Sequence, residues 1–449
     1  MVKYQLTKEL LRNYFSTYYD QLRTGNDRIN PSNFNKIKET EFNLILKKID
    51  NQSYKFTDLK EIILPSHRKV FIPTIRDRLV IEYLKDRIKQ KYHINFPNRD
   101  DIIKTIQLKF NFEMDFYIIR LDIKHFFDSI PNNILLSKIK EKSLLSSHEY
   151  FILKELFRKS HRGLPQGVSV SNVLSEIYLE HFDQDLKQIH NRLNYYCRYV
   201  DDILLIINGK LTQSEINLIQ KKIATIFKRY HLKINESKFS FTLFPLLNPK
   251  KDDKYGFDFL GYRFTIENKK LSYSITKEKI RKYIEKIKFC FVDFKKNRNM
   301  ELLIHRLDFL TKKNAIIKKE QFISRNKEIG YRKKKICYGF MENYNLISEN
   351  ERIRISKYID ELLKSEINSI KFILNSYKFN ISNKSKHRLF SISLSKNMNI
   401  YNAIYRYKKE DYIKKLIDIN PMYTFNELKN YSYKELSKMY FKFLRSDML

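Results

Sequence analysis

Glycine is scarce in this chain, with 8 in 449 residues, and proline (9) and cysteine (3) are little better represented. Cys197, Cys290 and Cys337 stand alone, with no metal-ligand spacing among them. That pattern offers neither a zinc ribbon nor a disulfide scaffold and fits a reducing cytosol, so a cytoplasmic location is expected. No apolar run is long enough to span a bilayer, and Met1–Lys8 lacks the apolar core of a signal peptide. No membrane partner is therefore expected. Low-complexity linkers and internal repeats are missing too. What remains is a chain long enough for two or three domains, with 42% hydrophobic residues to fill their cores.

Acidic residues are also in short supply: 51 Asp and Glu face 87 Lys and Arg, for a formal charge of +36. Each phosphate neutralised by such a surface releases counterions, which favours a nucleic-acid partner. The 31 tyrosines and 33 phenylalanines scattered among the basic residues suit stacking on unpaired bases. Lys, Asn and Ile are all abundant, in the manner of AT-rich coding, so charge alone names no function.

The few acids that sit inside apolar stretches are more informative. Tyr199-Val200-Asp201-Asp202 lies between Tyr195–Arg198 and Ile203–Ile207, and both flanks read as short buried strands. Two adjacent carboxylates at a hairpin tip are costly when unpaired, and a divalent cation removes that cost. A second apolar strand, Phe116–Ile123, ends in Asp122, followed by a tight exit through Lys124–Ile130. Asp122 is a candidate for the same cation site or for a helix cap; Asp128 reads as a cap. Two-metal phosphoryl transfer needs acids from separate strands converging on ions about 3.5–4 Å apart. Between these strands lies Gly163-Leu164-Pro165-Gln166-Gly167, in a loop running to Asn172 that feeds an amphipathic helix including Val173–Leu179. With glycine so rare, two within five residues mark a backbone under special demands.

Leu121-Asp122 with Phe127, then Gly163–Gly167, then Tyr199–Asp202 resemble motifs A, B and C of reverse transcriptases, in that family's order. His231–Lys238 is similar to motif D, Phe257–Tyr262 to the primer grip, and Arg68–Pro73 with Arg76–Arg78 to the fingers motifs. The resemblance runs from about residue 60 to 265. It implies an α+β right-hand polymerase with an antiparallel-sheet palm, mixed fingers and an all-helical thumb and C-terminal region. The expected divisions are 1–115 for the N-terminal region and fingers, 116–270 for the palm and 271–449 for the helical remainder. It implies two Mg²⁺ ions, with Mn²⁺ as a substitute, held by Asp122, Asp201, Asp202 and the carbonyl of Ile123. Lys238, with Lys233 as its rival, would protonate the leaving pyrophosphate. Arg68 or Lys69 would clamp the incoming triphosphate. Phe127 would exclude a 2′-hydroxyl, Gln166 and Gly167 would contact the nucleotide, and Leu260 and Gly261 would grip the primer. Substrates and partners would be dNTPs, an RNA template and the DNA product.

Beyond residue 276, apolar residues recur at three-to-four spacing in Lys277–Phe294, Ile353–Leu374 and Tyr407–Ile419, which predicts helices. Arg332–Lys335, beside Tyr331 and Tyr338, reads as an RNA contact or a solvated loop. Arg298-Asn299 with His305 loosely fits the Arg…His spacing of helical ribonucleases. Several signatures are missing: a ribonuclease H acidic cluster, a Cys/His-rich endonuclease tail, and the Asn-Ala-x-x-His and Val-Thr-Gly motifs of retron enzymes. The segment Asn98–Ile103 leading into Arg120–Ile123, with the helical tail, looks more like bacterial defence-associated and abortive-infection reverse transcriptases. That resemblance implies antiphage cDNA synthesis, often on a dedicated noncoding RNA, with a homo-oligomer or protein partner left open. A retron-like or intron-derived enzyme, or a noncatalytic RNA-binding scaffold, are the alternatives.

Overall fold

The computed structural model describes residues 6–64, 67–110, 113–158, 163–247, 254–267, 270–323, 329–375 and 382–445. It divides into two compact units, residues 1–253 and 254–449.

The first unit is built around one antiparallel sheet. A separate hairpin, β1 (Lys60–Ile63) and β2 (Lys69–Ile72), precedes it. The sheet contains β3 (Phe116–Asp122), β4 (Leu193–Tyr199), β5 (Asp202–Asn208) and β6 (Ser240–Phe244) in the order β4-β5-β3-β6. Near-continuous apolar sequence places β3 and β5 at its centre, where Ile118, Ile119, Leu204 and Leu205 are buried. β4 is an edge strand and is only half-buried over Tyr195 and Tyr196, less than its sequence suggests. The helix Ser169–Lys187 packs against β4 and against helices Ile75–Lys91 and Gln213–Arg229. Thr212 and Glu215 form a reciprocal capping box that starts the last of these. One apolar core joins these elements, from Leu11 and Phe42 to Phe182 and Phe227.

The second unit corrects the expectation of an all-helical C-terminal region. It opens with the antiparallel sheet β7 (Lys254–Phe259), β8 (Tyr262–Glu267) and β9 (Lys270–Ile275). A long ribbon follows, β10 (Lys313–Ile323) paired with β11 (Ile329–Tyr338), and the short β12 (Tyr401–Asn402) adds parallel to β10. Lysines hide this ribbon in the sequence: Lys333 and Lys335 share a face with Ala315 and Ile317, and Arg332 and Lys334 lie on the other, so no clean apolar alternation shows. The predicted helices form at Lys277–Asn297, at Glu349–Ser369 with a short continuation at Lys371–Asn375, and at Lys409–Ile419. The last packs with helices Met300–Thr311 and Tyr433–Arg445 around Leu302, Tyr412, Leu416 and Tyr440. Among the described residues, no helix is long and apolar enough to cross a membrane.

Candidate active site

Three carboxylates are brought together by strand register. β3 and β5 run antiparallel with Asp122 opposite Asp202, and β4 pairs Tyr199 with Asp202. Val200 and Asp201 form the turn between β4 and β5, and the Ile123 amide donates to the Asp201 carbonyl at 3.1 Å. Asp122 is therefore the buried end of a strand, 2% exposed, and not a helix cap. The cap position of the next short helix, Phe126–Ser129, belongs to His125, while Asp128 is exposed in its first turn.

The turn is held in an unusual conformation. Val200 has φ 60°, a left-handed backbone that a β-branched side chain disfavours. Arg198 secures it. The buried guanidinium grips Asp183 with two 2.8 Å bonds and Glu176 at 2.6 and 3.0 Å, and it donates to the Val200 carbonyl at 3.1 Å. Nothing in the Tyr199–Asp202 pattern gave Arg198 a role; only its place two residues before a strained turn hints at one.

On the other side of β3, the chain after helix Gln213–Arg229 closes over Asp122. Asn235 donates through Nδ2 to Asp122 Oδ1 at 2.8 Å, and its amide donates to the Asp122 carbonyl at 2.8 Å. Lys238 Nζ lies 2.5 Å from Asp122 Oδ2. Lys233 contributes only its carbonyl, which accepts from Lys124 N at 2.8 Å. Of the two lysines it is thus Lys238 whose ammonium reaches the carboxylates. Asn235 lies within the motif-D-like segment, but nothing in its local sequence signals a carboxylate partner so distant along the chain.

The electrostatics follow from this crowding. Burial pushes Asp201 above the usual aspartate range, reinforced by the charges of Asp202 and Asp122. Burial also raises Asp202, although Arg120 and Lys238 pull the other way. Arg120, from β3, approaches Asp202 Oδ1 to 3.6 Å; that oxygen and Arg120 Nε are buried without a hydrogen-bond partner. Burial opposes the charge on Lys238, but its bond to Asp122 and the field of all three acids outweigh that, raising its pKa. Among the described residues, no three His, Cys, Asp or Glu side chains are close enough to form a ready-made metal cluster. The donor set still suits a hard divalent cation: oxygen ligands only, an orphaned buried carboxylate oxygen, and acids that repel one another.

The glycine-bearing loop packs against the chain that follows Asp122 and against β2. A Cβ on Gly163 would fall 2.3 Å from the Phe127 carbonyl oxygen, and Leu164 N donates to that same oxygen at 2.8 Å. At Gly167, with φ +93°, a Cβ would meet Val70 Cγ1 at 2.4 Å. The Gln166 carbonyl accepts from Phe71 N at 2.8 Å, joining the loop to β2. Phe127 is half-buried against Phe126, with ring centroids 5.0 Å apart. Arg68 is exposed, and Lys69 pairs with Glu61 at 2.9 Å across the β1–β2 hairpin.

The remaining candidates lie in the second unit. Leu260 and Gly261, with φ 48° and +85°, form the two-residue turn between β7 and β8. His305 is a core residue, not a nuclease base: it is buried, its Nδ1 lies 3.0 Å from Tyr440 Oη, and burial lowers its pKa to about 3. Arg298 is exposed, in a left-handed position ending helix Lys277–Asn297.

Comparison with known proteins fits this arrangement. Residues 47–264 match the family profile described as reverse transcriptase (RNA-dependent DNA polymerase). Protein YkfC of Escherichia coli K12 is 23% identical over 299 residues, covering 53% of this chain and 75% of YkfC. A putative COX1/OXI3 intron 2 protein of Saccharomyces cerevisiae is 25% identical over 191 residues, 37% of this chain but 21% of that one. An uncharacterized 91 kDa protein in a cob intron of Schizosaccharomyces pombe is 24% identical over 211 residues, with coverages of 41% and 26%. Telomerase structures from Candida tropicalis and Candida albicans overlay with TM-scores of 0.34 and 0.37 at 11% and 13% identity. They cover 55% and 92% of this chain and 61% and 65% of their own, and the scores are too low to inform the fold. The match over residues 47–264 identifies an RNA-directed DNA polymerase domain within the chain.

Proposed function

We propose that the chain extends a DNA strand from dNTPs on an RNA template, with Asp122, Asp201 and Asp202 holding the divalent ions. The observation that carries this reading is the β3–β5 register, which sets Asp122 opposite Asp202 beside the Val200–Asp201 turn. Two Mg²⁺ ions, when bound, lower the pKa of the attacking 3′-hydroxyl and neutralise the triphosphate. The chain's own residues orient the reactants. Phe127 lies under the sugar and disfavours a 2′-hydroxyl, and Gln166 with Gly167 contacts the nucleotide. Arg68 or Lys69 clamps the phosphates. The Ile123 carbonyl is an added oxygen ligand, and Leu260 with Gly261 grips the primer. Lys238, kept protonated by its surroundings, supplies a proton to the leaving pyrophosphate.

The setting we infer is antiphage cDNA synthesis in the bacterial cytoplasm, on a dedicated noncoding RNA. The sequence resemblance supports it, as do Cys197 and Cys290, buried and free as in a reducing compartment. An intron-derived enzyme is the second reading, favoured by the two intron-encoded relatives. Intron boundaries flanking the gene would decide for it.

The test incubates the purified protein and its co-purifying RNA with Mg²⁺ and labelled dNTPs or rNTPs, beside Asp201→Ala/Asp202→Ala. DNase-sensitive product, lost in the double variant, is the expected result, and a protease-dependent shift in mobility would reveal protein priming. Phage protection that survives the double substitution would instead mean a noncatalytic scaffold.

A further inference from the structure

The basic cluster Arg332–Lys335 is part of β11, not a loop, and the register of the ribbon decides which of its side chains act together. Residues directly opposite one another share a face. Ala315 pairs with Cys337, Ile317 with Lys335 and Lys319 with Lys333, while Lys313 pairs with Tyr401 of β12. One face of the three-stranded sheet thus collects Lys313, Ile317, Lys333, Lys335 and Tyr401.

Tyr401 is 53% exposed and Ile317 48%. Two cations approach the Tyr401 ring, Lys335 Nζ at 4.7 Å and Lys313 Nζ at 4.9 Å from its centroid. Lys335 also lies 5.5 Å from the Tyr405 ring, and Lys313 is anchored by Glu342 at 2.6 Å. Lys333 is exposed one pleat away. Ordinary packing would bury the aromatic ring. Tyr331, the aromatic expected beside this cluster, has a side chain outside the described residues, and Tyr401 takes its place.

We propose that this sheet face is a second polynucleotide-binding surface, on which Tyr401 stacks an unpaired base while Lys333 and Lys335 contact the flanking phosphates. An exposed aromatic with cations beside it fits single strands, whose bases are free to stack, better than a duplex. Template RNA and newly made DNA offer the same chemistry, so the occupant is a single strand of either kind. The inference is independent of polymerisation, since binding here requires none of the three aspartates.

The full-length protein is titrated into labelled rU20, dT20 and a 20-base-pair RNA duplex, with anisotropy as the readout. Tyr401→Ala is expected to weaken the single strands about ten-fold, with Tyr401→Phe restoring binding. Lys333→Gln/Lys335→Gln should lower the salt slope on rU20 by about 1.4, at ~0.7 per phosphate contact. A loss confined to rU20 or to dT20 identifies the strand bound and supports the proposal. Tyr401→Leu keeps the bulk without the ring face, so the test survives if the alanine variant misfolds by circular dichroism. Unchanged affinity in Tyr401→Leu, or an equal loss on the duplex, would overturn the proposal. Incorporation on a preformed primer–template is measured in parallel, so an inactive polymerase and an inert sheet face give different results.

Discussion

Phe127 is the residue whose proposed role is easiest to separate from its packing. It is half-buried beside Phe126, and its carbonyl is tied to Leu164 of the glycine-bearing loop. If its ring excludes a 2′-hydroxyl, Phe127→Ala should cut the preference for dNTPs over rNTPs by about ten- to hundred-fold. Steady-state kcat/KM for each substrate on one primer–template measures this, and unchanged discrimination with lower stability would make Phe127 a core residue only. At this scale the sequence was legible where residue type is forced by chemistry. Asp122, Asp201 and Asp202 stood out as acids in apolar strands, and Gly163 and Gly167 as rare residues where a Cβ would collide. Arg198 and Asn235 were not legible. Their importance lies in partners fifteen or more residues away (Asp183 and Asp122), and no local pattern encodes such a distance.

Elements are fixed to one another by a small number of buried ions, and one of these gives a pH signature. Glu149, 1% exposed at the start of helix Ser147–Arg158, accepts from Arg87 at 2.5 Å and Lys91 at 2.7 Å, both on helix Ile75–Lys91. Burial works to raise its pKa, but the two cations and the Ser146 amide win and hold it at about 2. A carboxylate whose pKa is lowered by folding stabilises the fold fully above its unfolded value, near 4.3. That contribution fades as pH falls from there towards 2. The melting temperature should therefore decline below about pH 4.5 in the wild type, with a shallower decline in Glu149→Gln. At pH 7 the same substitution should cost about 3 kcal/mol, because it removes the buried carboxylate charge that Arg87 and Lys91 share. Chemical denaturation at both pH values checks it; equal pH slopes would remove Glu149 as the source. The element scale is also where the sequence misled. Three C-terminal helices with a 3.6-residue apolar stripe were read to within a few residues at their ends, while Met300–Thr311 and Tyr433–Arg445 were not. The β10–β11 ribbon was not, because a two-stranded ribbon in solvent carries little apolar periodicity and its lysines read as a loop.

Across the whole molecule, charge is unevenly divided between the two units. Residues 254–449 hold 44 Lys and Arg against 21 Asp and Glu, a net +23, while residues 1–253 hold 43 against 30, a net +13. The smaller unit, which lacks the three aspartates, thus carries most of the positive charge. Such a division suits a polymerase whose affinity for nucleic acid is set largely outside its chemical centre, since phosphate contacts supply affinity without reading sequence. Raising salt from 50 to 200 mM should then weaken binding of the full chain to single-stranded RNA by about a hundred-fold or more. The Asp201→Ala/Asp202→Ala variant should show the same slope, because removing two half-buried acids from the turn alters catalysis without touching the phosphate-binding surface. A filter-binding titration at four salt concentrations measures both. A flat dependence would mean that the +36 is mostly solvated surface, shared with no polyanion. A slope that changes with the double substitution would instead place much of the RNA contact around Asp122, Asp201 and Asp202, and the charge of the second unit would then need another explanation.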